Sequence, residues 1–156
     1  MGQSGLREPL RQLAENCSLP AALEAMGERW SFLILRGSFN GLCHFEEFQS
    51  ELGIARNILA ARLARLVEHG ILARQACDDD RRKVEYRLTE KGQALLPTMV
   101  ALRQWGERWE TGVAATPILV DARDRRRVAP VQVMSHDGRA LAKQDLLWSL
   151  PEDVVS

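Results

Sequence analysis

The stretch that most constrains this chain runs from residue 54 to residue 88. It begins Ile54-Ala55-Arg56-Asn57-Ile58-Leu59-Ala60-Ala61-Arg62-Leu63-Ala64-Arg65-Leu66-Val67-Glu68-His69-Gly70. Leu59, Leu63, Leu66 and Val67 recur at i, i+4, i+7 and i+8, the spacing of one helix face. Asn57, Ala61 and Arg65 fall on the opposite face, with Ala60 and Ala64 beside them and Arg56 and Arg62 flanking it. Between Ile54 and Arg65 there are three arginines and no acid. Gly70 stands where a C-cap glycine ends a helix. An apolar back with a small, basic front suits entry into a groove, because alanines let the helix axis approach and arginines reach phosphates or guanine edges. Taken alone, such a helix is more simply a solvated surface helix. The residues after Gly70 shift the balance. Ile71 to Gln75 and Val84 to Leu88 are short apolar-polar alternations, separated by the polar tip Cys77-Asp78-Asp79-Asp80-Arg81-Arg82-Lys83. A helix leading directly into a basic-tipped hairpin is the winged-helix arrangement.

The residues upstream complete a helix-turn-helix. Phe45, Phe48 and Leu52 space a short helix over 44–52, and Gly53 turns the chain into the helix at 55–69. The second helix of such a pair is the one that enters the major groove. Before it, a helix is expected over about Pro20 to Met26, with Ser18 as N-cap and Gly27 as its break. The apolar run Trp30 to Phe39 reads as a buried helix closed by Asn40-Gly41, although periodicity alone also allows a strand.

After the hairpin, Thr89 is expected to cap a long helix reaching Trp109, kinked at Pro97. Leu95, Leu102 and Trp109 recur every seven residues, with Met99 and Trp105 broadening the stripe. An apolar helix outside a small core needs a cover. The same helix of a second copy is the economical choice, because palindromic DNA calls for two-fold proteins. The alternative is that it packs back on its own domain.

These readings divide the chain into an N-terminal arm (1–16), a winged helix-turn-helix domain for DNA binding and dimerisation (17–110) and a C-terminal extension (111–156). In the extension, Val128 to Met134 alternates like a strand, His136-Asp137-Gly138 signals a turn, and Arg139 to Lys143 is expected to return as the second strand. The expected fold class is mainly α with a small β wing, an α+β winged helix-turn-helix with a small β appendage.

Composition sets bounds. Hydrophobic residues make up 46% of 156, enough for a packed core. The 21 basic and 21 acidic residues cancel, which counts mildly against a nucleic-acid binder unless charge is segregated. No signal peptide or membrane-spanning run is expected, so the chain reads as cytoplasmic. Three widely spaced cysteines, Cys17, Cys43 and Cys77, form neither a closed disulfide framework nor a CxxC metal motif, so no metal and no cofactor is expected. Cys43 reads as a small core residue and Cys77 as an exposed one at the wing. No catalytic constellation is present: His44, His69 and His136 sit on three separate elements, and the Asp78-Asp79-Asp80 run lacks a glycine-punctuated ligand loop.

With these elements placed, the chain resembles the HxlR family of winged-helix transcription factors. The likeness covers 17 to 109. It rests on Cys17, Ala22-Leu23 to Met26-Gly27, Arg29-Trp30-Ser31-Phe32-Leu33-Ile34-Leu35, Gly41, Phe45-Glu46-Glu47-Phe48, Gly53-Ile54, Leu59 with Arg62-Leu63 and Leu66, Gly70-Ile71-Leu72, Val84 to Gly92, Leu96-Pro97 and Trp105-Gly106. The resemblance implies a dimeric DNA-binding regulator, usually a repressor, and for several members a response to oxidants or electrophiles through the cysteine matched here by Cys17. Its position before a helix N-terminus also favours a thiolate. There are departures. Ala55 and Ala60 stand where hydroxyl residues are usual, and His44 where an arginine is common. The tail is similar to a cysteine-bearing ribbon of some relatives, with Met134 and Asp137 in place of its paired cysteines, which implies a metal-free remnant.

The residues expected at DNA are Arg56, Asn57, Ala60, Ala61, Arg62 and Arg65 on the helix, His44 before it, and Arg81, Arg82 and Lys83 on the wing. Leu95, Met99, Leu102, Trp105 and Trp109 are expected at a homodimer interface. The expected partners are a palindromic double-stranded operator, a second copy, and a small-molecule or oxidant effector. Two alternatives stay open: a winged-helix protein-interaction module without DNA binding, and a regulator sensing a non-covalent ligand.

Overall fold

The computed structural model describes residues 18–149 and 151–155; Cys17 and the expected arm over 1–16 lie outside the described residues. Chain contacts separate a unit spanning Ser18–Ile118 from a second unit that takes in the residues from Leu119 onward.

The first unit is a winged helix-turn-helix. In chain order it holds α1 (Ser18–Met26), α2 (Arg29–Phe39), α3 (Phe45–Leu52), α4 (Arg56–Glu68), β1 (Leu72–Ala76), β2 (Val84–Leu88), α5 (Glu90–Gln93) and α6 (Leu96–Gly106), which runs into a π-helical turn, Glu107–Thr111. Ile34 and Leu35 of α2, Phe48 of α3, and Leu59, Leu63 and Leu66 of α4 are fully buried together, joined by Met26, Ile54, Ile71 and Leu72. The apolar periodicity of α4 therefore marks the face that packs. Truncating one of these leucines to alanine removes about 2–5 kcal/mol.

The turn between α3 and α4 depends on Gly53, which caps α3 in the left-handed region at φ 61 and sends its N–H back to the Gln49 carbonyl. Ala55 precedes α4 without a side-chain cap. After α4, strands β1 and β2 pair antiparallel, with Leu72 opposite Leu88 and Ala76 opposite Val84. Asp80 builds the wing turn: its side chain accepts from the Arg82 N–H at 3.0 Å and its carbonyl from the Lys83 N–H at 2.9 Å.

Three expectations are corrected here. The helix after the wing is not continuous from Thr89, because α5 ends at Gln93 and α6 starts at Leu96, where the N-terminal position suits Pro97. Cys77 is buried rather than exposed, since its N–H extends the ladder to the Lys83 carbonyl at 3.0 Å and draws its side chain inward. Cys43 is half-buried rather than a core residue.

The second unit shows two tight turns. A bridge pairs Val120 with Arg127, and another pairs Met134 with Ala140 around Gly138 at φ 83. The His136-Asp137-Gly138 turn forms, but no strand extends over 128–134. Pro130 removes a ladder donor there, and a two-stranded ribbon by itself is marginal. Short 3-10 turns come next, at Lys143–Asp145 and Pro151–Asp153.

Candidate nucleic-acid interface

The front of α4 is open. Asn57, Ala60, Ala61 and Ala64 are exposed, and Asn57 has no side-chain partner among the described residues. Ala55 makes no side-chain cap, so among the described residues the first-turn N–H groups of α4 have no capping side chain and are placed to take an anion. Arg56 leans over the Phe45 ring, 4.8 Å from its centroid, which ties this flank of α4 to α3. Glu68 closes the exposed face at the far end of the helix.

Arg62 and Arg65 do not stand free on that front. Both turn toward α1 and the turn after it. Arg62 pairs with Glu28, and its Nε is buried without a hydrogen-bond partner among the described residues. Arg65 Nη2 donates to the Glu24 carboxylate at 2.7 Å and to the Glu24 carbonyl at 2.8 Å. The helical spacing located their Cα atoms. It did not locate the acids of α1 and the turn after it, which lie 41 residues before Arg65 in the case of Glu24.

The wing tip places Arg81, Arg82 and Lys83 together in solvent beside exposed Asp78 and Asp79. His44 takes a different position from the free phosphate ligand expected of it. Its ring reaches strand β2, with Nδ1 3.2 Å from the Val84 carbonyl and Nε2 3.9 Å from a Glu85 oxygen. Next to it, Glu47 Oε2 accepts from the Cys43 and His44 N–H groups at 3.0 Å each, which holds the Glu47 carboxyl below the usual carboxylate range. Burial pushes the Cys43 thiol up, and Glu47 and Glu85 add to it. Burial also raises the Cys77 thiol, which hydrogen-bonds Glu85. This grouping of Cys43, His44 and Glu85 was missed in the sequence. Only the adjacency of Cys43 and His44 pointed to it, and the third member arrives through strand pairing. A cleft of about 270 Å³ opens beside Cys43, lined by Ser38, Leu42, Tyr86, Leu88 and Gln93.

The stripe on α6 splits in two. Leu95 and Met99 pack against their own core. Leu102, Trp105 and Trp109 are 50%, 53% and 65% exposed, a run of large apolar side chains in water on the single chain. No described helix is long and apolar enough to cross a membrane.

Comparison with known proteins agrees with this architecture. The family model for HxlR-like helix-turn-helix proteins matches residues 25–113. The chain is 42% identical over 104 residues to the uncharacterised HTH-type transcriptional regulator Mb3122 of Mycobacterium bovis; the match takes in 67% of this chain and 66% of that protein, just under two thirds of the relative's length. Its structure is similar to that of PA1607, described as a candidate transcription factor, with a TM-score of 0.81 and 41% identity over 91% of this chain and 99% of that one. It is also similar to the redox regulator HypR in its reduced form, with a TM-score of 0.52 and 28% identity over 59% of this chain and 92% of that one. The matched segment holds the whole helix-turn-helix, the wing and α6, and the proteins it matches are regulators and not enzymes: the chain belongs to the HxlR-like helix-turn-helix family of transcriptional regulators.

Proposed function

We propose that this chain binds double-stranded DNA as a homodimer in the cytoplasm and represses transcription from a palindromic operator. The observation that carries the reading is the open face of α4, Asn57 with Ala60, Ala61 and Ala64, together with uncapped first-turn N–H groups and a wing tip bearing three exposed cations. Asn57 is the candidate for a base edge, suited to adenine. Arg56, Arg81, Arg82 and Lys83 are candidates for phosphates. Arg62 and Arg65 join them by exchanging Glu28 and Glu24 for DNA. In the dimer, Leu102, Trp105 and Trp109 are the side chains that gain most from a second copy, with Leu95 and Met99 supporting them from the core side.

The test is retention of labelled duplex from the gene's own upstream region against a scrambled duplex, across rising salt. Sequence-selective retention that weakens linearly in log salt is expected. Equal, negligible retention of both duplexes at low salt would favour the protein-interaction module instead.

A response to oxidants through Cys17 rests on the family resemblance and on the similarity to HypR, itself described as a redox regulator. A gel shift of wild type beside Cys17→Ser, titrated with diamide and with a quinone, decides it. Loss of DNA by wild type alone is expected. Loss by both proteins at one dose removes Cys17 as the sensor, and no response by either points to a non-covalent effector.

A further inference from the structure

At the root of the wing, three different donor types converge. One ligand atom each from Cys43, His44 and Glu85 lies within 4.8 Å of the others, and all three residues are half-buried. Cys43 and His44 come from the loop before α3. Glu85 comes from β2, brought alongside by the hydrogen bond from the Tyr86 N–H to the Cys43 carbonyl at 2.8 Å.

The orientation of His44 is informative. A carbonyl only accepts, so the 3.2 Å contact with Val84 places the ring proton on Nδ1 in the neutral imidazole. Nε2, which carries the lone pair in that neutral form, lies 3.9 Å from Glu85 Oε1. A proton on Nε2 makes this contact an ion pair, and a metal cation can take that proton's place between the two atoms. An imidazole that gives one N–H to a backbone carbonyl and offers the other nitrogen is the usual arrangement of a metal-ligating histidine. Glu85 is held from behind in the same way: Arg87 Nε donates to its Oε2 at 2.5 Å, and the Cys77 thiol hydrogen-bonds its carboxylate. Oε1 is the oxygen on the His44 side, 3.9 Å from Nε2.

We propose that Cys43 Sγ, His44 Nε2 and Glu85 Oε1 form a site for a thiophilic divalent cation of the zinc class, with Cys77 and Arg87 positioning the carboxylate. A sulfur, an imidazole and a carboxylate are the donor set such an ion accepts, with a water in the fourth position. Donor atoms around one tetrahedral zinc lie roughly 3.3–3.6 Å apart, so on binding the 3.9 Å His44–Glu85 gap closes by a few tenths of an ångström and the widest gap, up to 4.8 Å, by about an ångström. Cys43 binds as thiolate and its proton leaves to solvent. The bound ion ties the loop before α3 to the wing strand, and so restrains the tip that carries Arg81, Arg82 and Lys83. The metal site stands apart from the DNA-binding reading, and its test uses no DNA.

The full reduced chain is titrated with Co²⁺ as a spectroscopic probe, then with Zn²⁺ to displace it. The expected result is one equivalent of tetrahedral cobalt with a thiolate charge-transfer band, bleached by zinc. The band is lost in Cys43→Ser and kept in Cys17→Ser and Cys77→Ser, with cobalt affinity about ten- to hundredfold lower in Cys77→Ser through looser support of Glu85. Zinc is also expected to slow tryptic cutting at Arg81, Arg82 and Lys83 and to shield Cys43 from alkylation, both read in wild type and so independent of how the variants fold. A wild-type chain that gives no thiolate–cobalt band overturns the proposal. So does a band that survives Cys43→Ser, or zinc that leaves both the cutting and the alkylation unchanged.

Discussion

One nitrogen of Arg65 holds Glu24 at two points, the carboxylate at 2.7 Å and the backbone carbonyl at 2.8 Å. The pair closes α4 onto α1 and neutralises a cation next to the proposed DNA face. Side-chain exposures of 34% and 72% mean that water screens it, so its contribution to stability is on the order of 0–1 kcal/mol. Its larger effect falls on binding. Glu24→Gln removes the carboxylate charge that competes with DNA for Arg65 and is expected to tighten duplex binding, steepening the salt slope by about one unit. Arg65→Ala is expected to weaken specific binding by ~1–3 kcal/mol if Arg65 reads a base. Salt-dependent anisotropy measures both, and unchanged affinity in Arg65→Ala removes that residue from the reading set.

The wing makes a different prediction. Arg81, Arg82 and Lys83 are exposed and placed for backbone contacts. Neutralising them should lower affinity for all sequences alike and flatten the salt slope by about one unit per lost contact. A slope identical to wild type would place the wing away from DNA.

Leu102 is half exposed on the single chain, so Leu102→Asp leaves the core intact. In the proposed dimer the same change buries a carboxylate without a partner. Sedimentation should then show monomers, with the helical circular dichroism retained. Wild type that sediments as a monomer at micromolar concentration would end the dimer proposal.

Gly92 tests the fold itself. A β-carbon there would collide with the Ile71 carbonyl oxygen, where α5 passes over the end of α4. Thr89 fixes the approach, accepting from the Gly92 N–H at 3.1 Å and donating to the Gly70 carbonyl at 2.6 Å. Gly92→Ala must push these elements apart and is expected to cost ~1–3 kcal/mol in urea unfolding.

Glu47 confers acid sensitivity. Its folded carboxyl is lowered because the Cys43 and His44 N–H groups donate to the charged form. Such a group contributes stability fully above its unfolded value, and the contribution is lost as pH falls through the lowered folded value. Glu47→Gln should therefore unfold with less pH dependence below the ordinary glutamate range, while differing little in slope near neutrality. Equal slopes for both proteins in acid would show that these hydrogen bonds contribute nothing.

The parts of the fold readable from the sequence are those written in local chemistry. Leu59, Leu63 and Leu66 announced the buried face of α4 by spacing alone. Gly53 and the Val84–Leu88 alternation announced the turn and the returning strand. Thr89 announced a cap, and Thr89 does accept from the Gly92 N–H. The length of the helix after it was less legible. The break after Gln93 falls where Pro97 has no N–H to donate to the Gln93 carbonyl, and α6 restarts at Leu96 with that proline in its first turn.

By itself, then, the sequence determined the packed face of α4, where the chain bends and which family the domain resembles, because helical period, glycine at positive φ and capping all act within a few residues. Only the tertiary structure decided which side chains meet. Arg65 finds Glu24 across 41 residues and His44 finds the Val84 carbonyl across 40. Cys77 is buried by the wing ladder and not by its neighbours in sequence, and α6 gives Leu95 and Met99 to its own core while leaving Leu102, Trp105 and Trp109 in water. Periodicity gives the direction of a side chain around its own helix axis; which group lies in that direction depends on how separate elements dock, and docking is settled by the packing of the whole core.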